Sequence, residues 1–233
     1  MSSIYTNVTL LGDSILCRGY EDGEPVAYKD IIKPTLYVPS PKGKWKTLEG
    51  KPMAPVKQDG AKRAREFIEK YKDVEGFAVH GYERFVYQWI SEKYPQEMRA
   101  NMDLMRIYTI DIEVECENGF PNPEVAIEPL LSITIKNHQT KEIVVWGIGD
   151  FKTDRDDVHY IQCESERHLI QEFLVFWERN QPDIITGWNT EFFDIPYLCN
   201  RIKNICGDDE IKRLSPWGGV SERKVFKMGR NHQ

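Results

Sequence analysis

Two carboxylates that are two residues apart, Asp111 and Glu113, are the side chains of this sequence whose spacing best suits chemistry. They belong to the run Arg106-Ile-Tyr-Thr-Ile-Asp-Ile-Glu-Val-Glu115. The β-branched residues and the short length of this run predict a strand. Because side chains two apart in a strand share a face, the two acids, and Glu115 if the strand reaches it, are expected to lie together. The opposite face is apolar and carries Ile110, Ile112 and Val114.

Neighbouring carboxylates repel each other unless a cation or a shared proton relieves the repulsion. The acidic face therefore indicates either a solvated outer strand or a platform for a metal ion, and exposed acids are the commoner case. A third carboxylate favours the metal platform. It is Asp194, which follows Glu113 by about eighty residues.

Asp194 ends the run Thr186-Gly-Trp-Asn-Thr-Glu-Phe-Phe-Asp194, which follows a predicted buried strand at Asp183–Gly187. A helix is predicted next, with Pro196 in its first turn, so one role for Asp194 is to cap that helix. The alternative is that its carboxylate reaches the two acids of the strand. Three such acids would bind Mg²⁺ or Mn²⁺, which prefer oxygen ligands. A pair of these ions promotes in-line attack on a phosphodiester.

The first part of the chain, residues 1–103, is predicted to be rich in strands. A Gly12-Asp13 turn joins two strands in a hairpin. One clear helix is predicted at Gly60–Tyr71, with Asp59 as its N-cap. The other expected features are strands at Pro25–Ile32, Thr35–Val38 and Phe77–His80, an aromatic stretch of undecided type at Tyr82–Tyr94, and a polar connection at 95–103.

The second part, residues 104–233, begins with the acidic strand and a polar loop at 117–128. A long amphipathic helix is predicted after Ser165, which is its expected N-cap. The remaining predicted strands are Leu130–Ile135, Ile143–Ile148 and His159–Cys163. Strands followed by helix, strand and helix predict a mixed sheet with helices packed on it. The expected fold class is therefore α/β (α+β), with a β-rich domain at 1–103 and a mixed-sheet domain at 104–233.

A basic loop in the first part offers a second kind of binding chemistry. It contains Lys42, Lys44, Trp45 and Lys46. Lysines around an aromatic ring can hold a phosphate backbone and stack on a base. A solvated loop with one tucked-in tryptophan explains the same residues.

Composition narrows the class of protein. The net charge of −6 argues against a simple nucleic-acid-coating protein. The acidic excess lies in residues 104–233, which hold 15 Lys and Arg against 22 Asp and Glu, whereas residues 1–103 hold 16 against 15. The five cysteines are scattered and never form a C-x-x-C pair, which argues against a zinc site or a disulfide framework. With no signal peptide and no stretch of roughly 18 apolar residues, we expect an intracellular protein without a membrane partner.

The motif residues resemble those of a known family. Asp111-Ile-Glu113 is similar to the first exonuclease motif of family B DNA polymerases, and Thr186-Gly-Trp-Asn189 with Phe193-Asp194 is similar to the second. Two more segments, Pro34–Pro39 and Lys212–Trp217, resemble T4-like phage polymerases, so the resemblance spans nearly the whole chain. It implies a polymerase N-terminal domain followed by the first part of a proofreading 3′→5′ exonuclease domain of the DnaQ-like, RNase H-type fold.

The resemblance also implies roles for individual residues. Asp111, Glu113 and Asp194 would be catalytic ligands of two Mg²⁺ or Mn²⁺ ions, and Glu113 would orient the attacking water. Asn189 and Phe193 would line the single-stranded 3′ end of DNA, although a turn-capping asparagine and a core phenylalanine explain the same residues. The expected location is the cytoplasm of a phage-infected bacterium.

The third motif of the family, Tyr-x-x-x-Asp, is not found, because no tyrosine of this sequence is followed four residues later by an aspartate. We therefore expect a fragment, or one product of a split gene that a C-terminal polymerase polypeptide completes, with little nuclease activity alone. Residues 212–233 hold six Lys and Arg against one Glu, which suits DNA or a partner polypeptide. The alternative is a non-catalytic nucleic-acid-binding or assembly module that uses the basic loop and this basic tail.

Overall fold

A computed structural model describes residues 3–81, 83–96, 98, 101–116 and 119–221. The chain divides into two compact units, Met1–Leu104 and Met105–Gln233. The assignment of these units to the two predicted domains stays a prediction. Tyr82, and residues 222–233 of the predicted basic tail, lie outside the described residues. None of the helices described in either unit is long and apolar enough to cross a membrane.

The first unit begins with a three-stranded antiparallel sheet of strands β1 (Ser3–Leu11), β2 (Ser14–Glu21) and β3 (Glu24–Ile31), in the order β1-β2-β3. The predicted hairpin is confirmed, because Leu11 pairs with Ser14 across the two-residue turn. Gly12 adopts φ 62°, which glycine reaches without steric cost.

A second small sheet follows, with strands β4 (Thr35–Pro39), β5 (Trp45–Lys46) and β6 (Pro52–Lys57) in the order β4-β6-β5. The predicted basic loop thus contains a short strand, because Trp45 and Lys46 pair with Met53 and Pro52. The predicted strand at Phe77–His80 is wrong: only His80 pairs, in an isolated bridge to Tyr37.

Two helices pack on the first unit, α1 (Ala61–Tyr71) and α2 (Phe85–Lys93). The aromatic stretch of undecided type is therefore mainly helix. The predicted N-cap Asp59 is wrong, because Gly60 takes that position and makes no side-chain cap bond. Instead, Oδ1 of Asp13 accepts a hydrogen bond from Lys62 N–H at 2.9 Å, so the hairpin turn caps α1 from a distance in sequence. The core of this unit contains Ile15, Cys17, Ile32, Leu36, Ala61, Ala64, Phe85 and Trp89.

The second unit is built on a five-stranded mixed sheet. Its strands are β7 (Ile107–Val114), β8 (Leu130–Asn137), β9 (Ile143–Ile148), β10 (Val158–Cys163) and β11 (Ile184–Thr186), in the order β10-β9-β8-β7-β11. β7, β8 and β9 form an antiparallel meander. β10 joins β9 and β11 joins β7 in parallel, so the mixed sheet that the sequence predicts is confirmed.

Helices α3 (Glu166–Arg179) and α4 (Asp194–Cys206) and a 3-10 helix at Glu210–Leu214 complete this unit. The predicted cap of α3 is confirmed, since Oγ of Ser165 accepts a hydrogen bond from His168 N–H at 3.3 Å. The predicted apolar stripe of α3 is buried along its length, at Leu169, Ile170, Phe173, Leu174 and Trp177.

The prediction that the strand before Asp194 is buried is wrong. Ile184 and Ile185 of β11 are 40% and 41% exposed. Within the described residues β11 pairs with β7 alone, so it lies at the margin of the sheet. An apolar sequence favours burial of a strand, but the place of the strand in the sheet decides how much of its surface other elements cover.

Candidate active site

The acidic face of β7 is exposed, as its sequence predicts. Asp111 and Glu113 are exposed, whereas Ile110 and Ile112 between and beside them are buried. Pairing with β8, of Asp111 with Thr134 and of Glu113 with Ser132, places both carboxylates on one face of the sheet, and β11 pairs with the earlier part of β7, at residues 107–109. Glu115 follows the end of the strand, after an irregularity in pairing at Glu113/Val114, and does not extend the acidic face as a strand residue.

Asp194 lies against the backbone of β7. It is only 4% exposed, and its Oδ1 accepts a hydrogen bond from Ile112 N–H at 3.2 Å. Ile112 separates Asp111 from Glu113 along the strand. The first residue of α4 therefore places its carboxylate at the acidic strand, although 82 positions separate Asp194 from Ile112.

Burial raises the pKa of the Asp194 carboxyl, and the negative charge of Asp111 raises it further. Hydrogen bonds from the backbone N–H groups of Asp194 and Ile112 oppose the rise without cancelling it. The negative form of a buried carboxylate beside another carboxylate is unfavourable until a positive charge is present. This electrostatic situation suits a site for a cation.

The fit of the acids to a metal ion is incomplete in the described part of the chain. Over these residues, no three His, Cys, Asp or Glu side chains form a group that could hold a metal ion. Asp111 and Asp194 are close enough for one charge to affect the other, and Glu113 is on the same face of β7 as Asp111. All three offer carboxylate oxygens, which are the ligands that Mg²⁺ and Mn²⁺ prefer.

The turn between β11 and α4 carries the predicted DNA-contacting residues. Asn189 is exposed and adopts φ 56°, a left-handed conformation that asparagine tolerates. Its carbonyl accepts hydrogen bonds from Phe192 N–H and Phe193 N–H, both at 3.0 Å. Phe193 is half-buried and its ring lies 5.5 Å from that of Tyr197. Phe193 therefore contributes to the core while retaining an accessible part.

Sequence reasoning missed a second aromatic ring beside Phe193. Phe120 is 81% exposed, and its ring centroid lies 4.8 Å from that of Phe193. An aromatic residue among the polar and turn-forming residues at the start of the loop at 117–128, between Gly119 and Pro121, was the available signal. Large exposed rings also occur in the turn itself, at Trp188 and Phe192.

The loop that carries Phe120 is tied to α4. Tyr197 donates a hydrogen bond from its hydroxyl to the Glu128 carbonyl at 2.7 Å, and Asn200 donates one to the Pro123 carbonyl at 2.9 Å. Arg201 is buried and forms a two-pronged ion pair with Glu166 of α3. These contacts hold the loop against α4 and join α4 to α3.

The basic loop of the first unit presents its predicted residues to solvent. Lys42, Lys44 and Lys46 are exposed. Trp45 is 56% exposed, and its ring lies 5.4 Å from that of Tyr37 in an edge-on arrangement. The tryptophan is thus supported on one side and open on the other, rather than fully tucked in.

Comparison with protein families identifies the class to which this fold and these acids belong. Residues 84–233 match the family described as DNA polymerase family B, exonuclease domain. This chain belongs to that family. The predicted resemblance and the predicted α+β fold class, with a mixed-sheet exonuclease domain, are confirmed.

Several relatives of the chain are DNA polymerases. It is 32% identical over 93% of its length to the DNA-directed DNA polymerase of Escherichia phage RB69, and 28% identical over 98% to that of Enterobacteria phage T4. A DNA polymerase of Archaeoglobus fulgidus is 26% identical over 55% of the chain. The chain spans 27% and 28% of the lengths of the two phage proteins, and 14% of the archaeal one.

Proposed function

We propose that this chain supplies part of the 3′→5′ proofreading exonuclease site of a phage-type family B DNA polymerase. The observation that carries the proposal is the buried Asp194 carboxylate, which binds the backbone of β7 at Ile112, between Asp111 and Glu113. An ordinary helix cap bonds only to its own helix, whereas the Asp194 carboxylate accepts a hydrogen bond from its own backbone N–H and another from Ile112 N–H of β7. The family membership supports the same activity.

In this proposal Asp111, Glu113 and Asp194 would hold Mg²⁺ or Mn²⁺. When bound, a pair of such ions supplies Lewis-acid charge and a water of lowered pKa. Asp194 contributes a carboxylate that burial has already stripped of most solvent, and Asp111 provides a second one beside it. Glu113, exposed on the same face, would accept a hydrogen bond from the attacking water and so orient it.

The DNA substrate is a single-stranded 3′ end. Phe193 immediately precedes Asp194, and its ring and that of Phe120 together provide a surface on which a base can stack. Asn189 is exposed in the same turn and offers an amide to the sugar-phosphate backbone. Lys42, Lys44, Trp45 and Lys46 of the first unit contact the template strand through phosphates and stacking.

The partner of the chain is the remaining part of the polymerase polypeptide. The chain spans about a quarter of the length of its two phage relatives, and the Tyr-x-x-x-Asp motif is not in its sequence. We therefore propose that the isolated chain has little nuclease activity and that a C-terminal polymerase chain completes the site. The place of action is the cytoplasm of a phage-infected bacterium.

Reconstitution tests this function. The chain is mixed with a polypeptide that carries the rest of the polymerase, and excision of a mismatched 3′ nucleotide is measured with Mg²⁺ or Mn²⁺. Asp111→Ala is expected to lower excision by at least about 100-fold, since even indirect support of a metal site is worth 10–100-fold. Glu115→Ala, an exposed acid beyond the end of β7, is the matched control. Unchanged excision in the Asp111→Ala mixture would refute the assignment.

A second candidate function is favoured by the basic loop, whose tryptophan is supported by Tyr37 and open to solvent. In it the chain is a non-catalytic nucleic-acid-binding or assembly module of a separate polymerase chain. Such a module binds single strands in a salt-dependent way that divalent ions and the acids do not affect. Equal binding by the parent and by Asp111→Ala, with no excision after reconstitution, would support it.

A further inference from the structure

Gly187 lies against the backbone of β7 at the point where β11 ends. The pairing of Thr186 with Thr109 brings the next residue, Gly187, level with Ile110. A Cβ atom at Gly187 would lie 2.7 Å from the Ile110 carbonyl oxygen, and closer still to Oγ1 of Thr190. Carbon atoms do not approach oxygen so closely in a relaxed structure. Gly187 is therefore needed for the space it leaves.

The Asp194 carboxylate occupies the next hydrogen-bonding position of the same strand edge. Alternate residues of a strand direct their backbone groups to the same side. The Ile110 carbonyl, which faces Gly187, and Ile112 N–H, which faces Asp194, thus belong to one edge of β7. Beyond β11, the turn continues along β7, first with a glycine in close contact and then with a carboxylate in place of a strand carbonyl.

The segment between these two contacts is closed by short-range hydrogen bonds. Asn189 accepts from the N–H groups of Phe192 and Phe193, and the Thr190 carbonyl accepts from Ile195 N–H at 3.0 Å. Thr190 is only 8% exposed, and its hydroxyl has no hydrogen-bond partner in the described part of the chain. A buried threonine with an unsatisfied hydroxyl acts here through its shape, because it fills the space beside Gly187.

We propose that Gly187 and Thr190 are positioning residues for the Asp194 carboxylate. The close approach of Gly187 to Thr190 and to the Ile110 carbonyl sets how closely the turn approaches β7. A side chain at position 187 pushes the turn outward, and the closed turn transmits the displacement to Asp194. The inference rests on the proposed function only for its consequence, which is that a displaced Asp194 binds the metal ions poorly.

Hydrogen exchange at a single amide tests the positioning itself. In the full chain, Gly187→Ala is expected to speed exchange of Ile112 N–H at least tenfold, because its acceptor moves away, while Ile135 N–H in β8 stays within twofold of the parent. Gly219→Ala is the matched control, since nothing lies within 4 Å of a Cβ there and its φ is not positive. Exchange at Ile112 within twofold of the parent in Gly187→Ala would overturn the inference.

Substitutions at Thr190 keep the test valid if Gly187→Ala fails to fold. Thr190→Ala removes the shape that Gly187 packs against, and exchange at Ile112 is expected to rise threefold or more. Thr190→Val keeps the shape without the hydroxyl, so exchange within twofold of the parent is expected. Equal exchange rates in these two variants would overturn the inference. An alanine methyl at position 187 is obstructed by Oγ1 of Thr190 and by the Ile110 carbonyl oxygen, and Thr190→Ala removes the first of these. The double variant Gly187→Ala/Thr190→Ala is therefore expected to exchange more slowly at Ile112 N–H than Gly187→Ala.

Binding of Mn²⁺, followed by electron paramagnetic resonance, tests the consequence. The chain with Gly187→Ala is expected to bind Mn²⁺ at least tenfold more weakly than the parent, and Gly219→Ala to bind as the parent does. If exchange at Ile112 responds as expected and Mn²⁺ binding is insensitive even to Asp111→Ala, the proposed metal site fails while the positioning role stands. If Asp111→Ala weakens Mn²⁺ binding and Gly187→Ala does not, the positioning role is refuted and the metal site stands.

Discussion

Replacement of Arg201 by methionine is expected to destabilise the second unit by about 3–5 kcal/mol. The Arg201 side chain is 9% exposed and that of its partner Glu166 is 13% exposed. Nε and Nη2 of Arg201 donate to the two carboxylate oxygens of Glu166 at 2.6 and 2.7 Å, and Nη1 donates to the carbonyls of Ala126 and Ile127 at 3.1 and 2.7 Å. Methionine fills similar space but removes both Arg201 donors from the buried Glu166 carboxylate and the Arg201 donor from the Ile127 carbonyl, whereas the Ala126 carbonyl keeps a hydrogen bond from Asn204 at 3.1 Å.

The magnitude follows from the charge that remains. Glu166 retains one donor, Leu130 N–H at 2.8 Å, which cannot neutralise it. Breaking a buried pair from one side costs more than removing both charges, so the double variant Arg201→Met/Glu166→Met is expected to be more stable than Arg201→Met alone. A loss of this size is a large fraction of the roughly 5–15 kcal/mol that holds a domain folded.

Urea unfolding of the full chain, followed by tryptophan fluorescence and far-ultraviolet circular dichroism, measures the effect. Arg155→Met is the matched control, because Arg155 pairs with Asp157 at 2.7 Å on the surface, with 61% and 44% of the side chains exposed. Exposed pairs contribute about 0–1 kcal/mol. If Arg201→Met and Arg155→Met lower stability equally, the reasoning from burial is refuted.

Three further predictions concern the acids and the aromatic rings. Burial and the neighbouring negative charge raise the pKa of Asp194, so ionisation weakens the fold as the pH rises through that value. Asp194→Asn keeps a side-chain oxygen that can accept the hydrogen bond from Ile112 N–H. This variant is expected to be more stable than the parent at pH 7, and the gain should vanish at a pH below the ordinary pKa of aspartate. Urea unfolding of both proteins at pH 7 and at that lower pH measures the difference. Phe120→Ala is expected to weaken binding of a short single-stranded oligonucleotide by about 1–3 kcal/mol and to change the free energy of unfolding by less than about 0.5 kcal/mol. Fluorescence anisotropy measures the affinity and urea unfolding measures the stability. A loss of stability with unchanged affinity would contradict the prediction. Trp45→Ala is expected to lower the same affinity without changing how steeply log K falls with log salt. Lys44→Ala is expected to make that negative slope shallower by about 0.7, because one phosphate contact is lost. An unchanged slope in Lys44→Ala argues against a phosphate contact.

Local patterns were sufficient to predict the elements that carry the site. The alternation of acids and isoleucines in β7 predicted its exposed and buried faces, and the stripe of α3 with Ser165 predicted that helix and its cap. These features depend on neighbours in sequence, where side-chain period and capping chemistry are direct signals. The start of α4 at Asp194 also followed from the sequence, but the bond from its side chain to Ile112 did not.

What sequence reasoning missed depends on residues far apart in the chain. The cap of α1 comes from Asp13 in the hairpin rather than from the adjacent Asp59. Burial of Arg201 requires Glu166 and two loop carbonyls to meet it, and no single-sequence pattern reports such a meeting. The contact between the rings of Phe120 and Phe193 joins positions 73 residues apart, which no local pattern reports.

The parallel pairing between β11 and β7 is short, so β11, at one border of the acid site, is held to the sheet less firmly than β8. In the described chain three residue pairs join β11 to β7, whereas seven join β8 to β7, including those of Asp111 and Glu113. Weakly attached peripheral elements open at a lower free energy than the middle of a sheet. As denaturant is added, β11 and the turn that follows it should open locally before the middle of the sheet, whereas α4, which is buried at Tyr197, Leu198 and Ile202, should unfold with the sheet. Hydrogen exchange would then show the amides of β11 exchanging at lower denaturant concentration than those of β8.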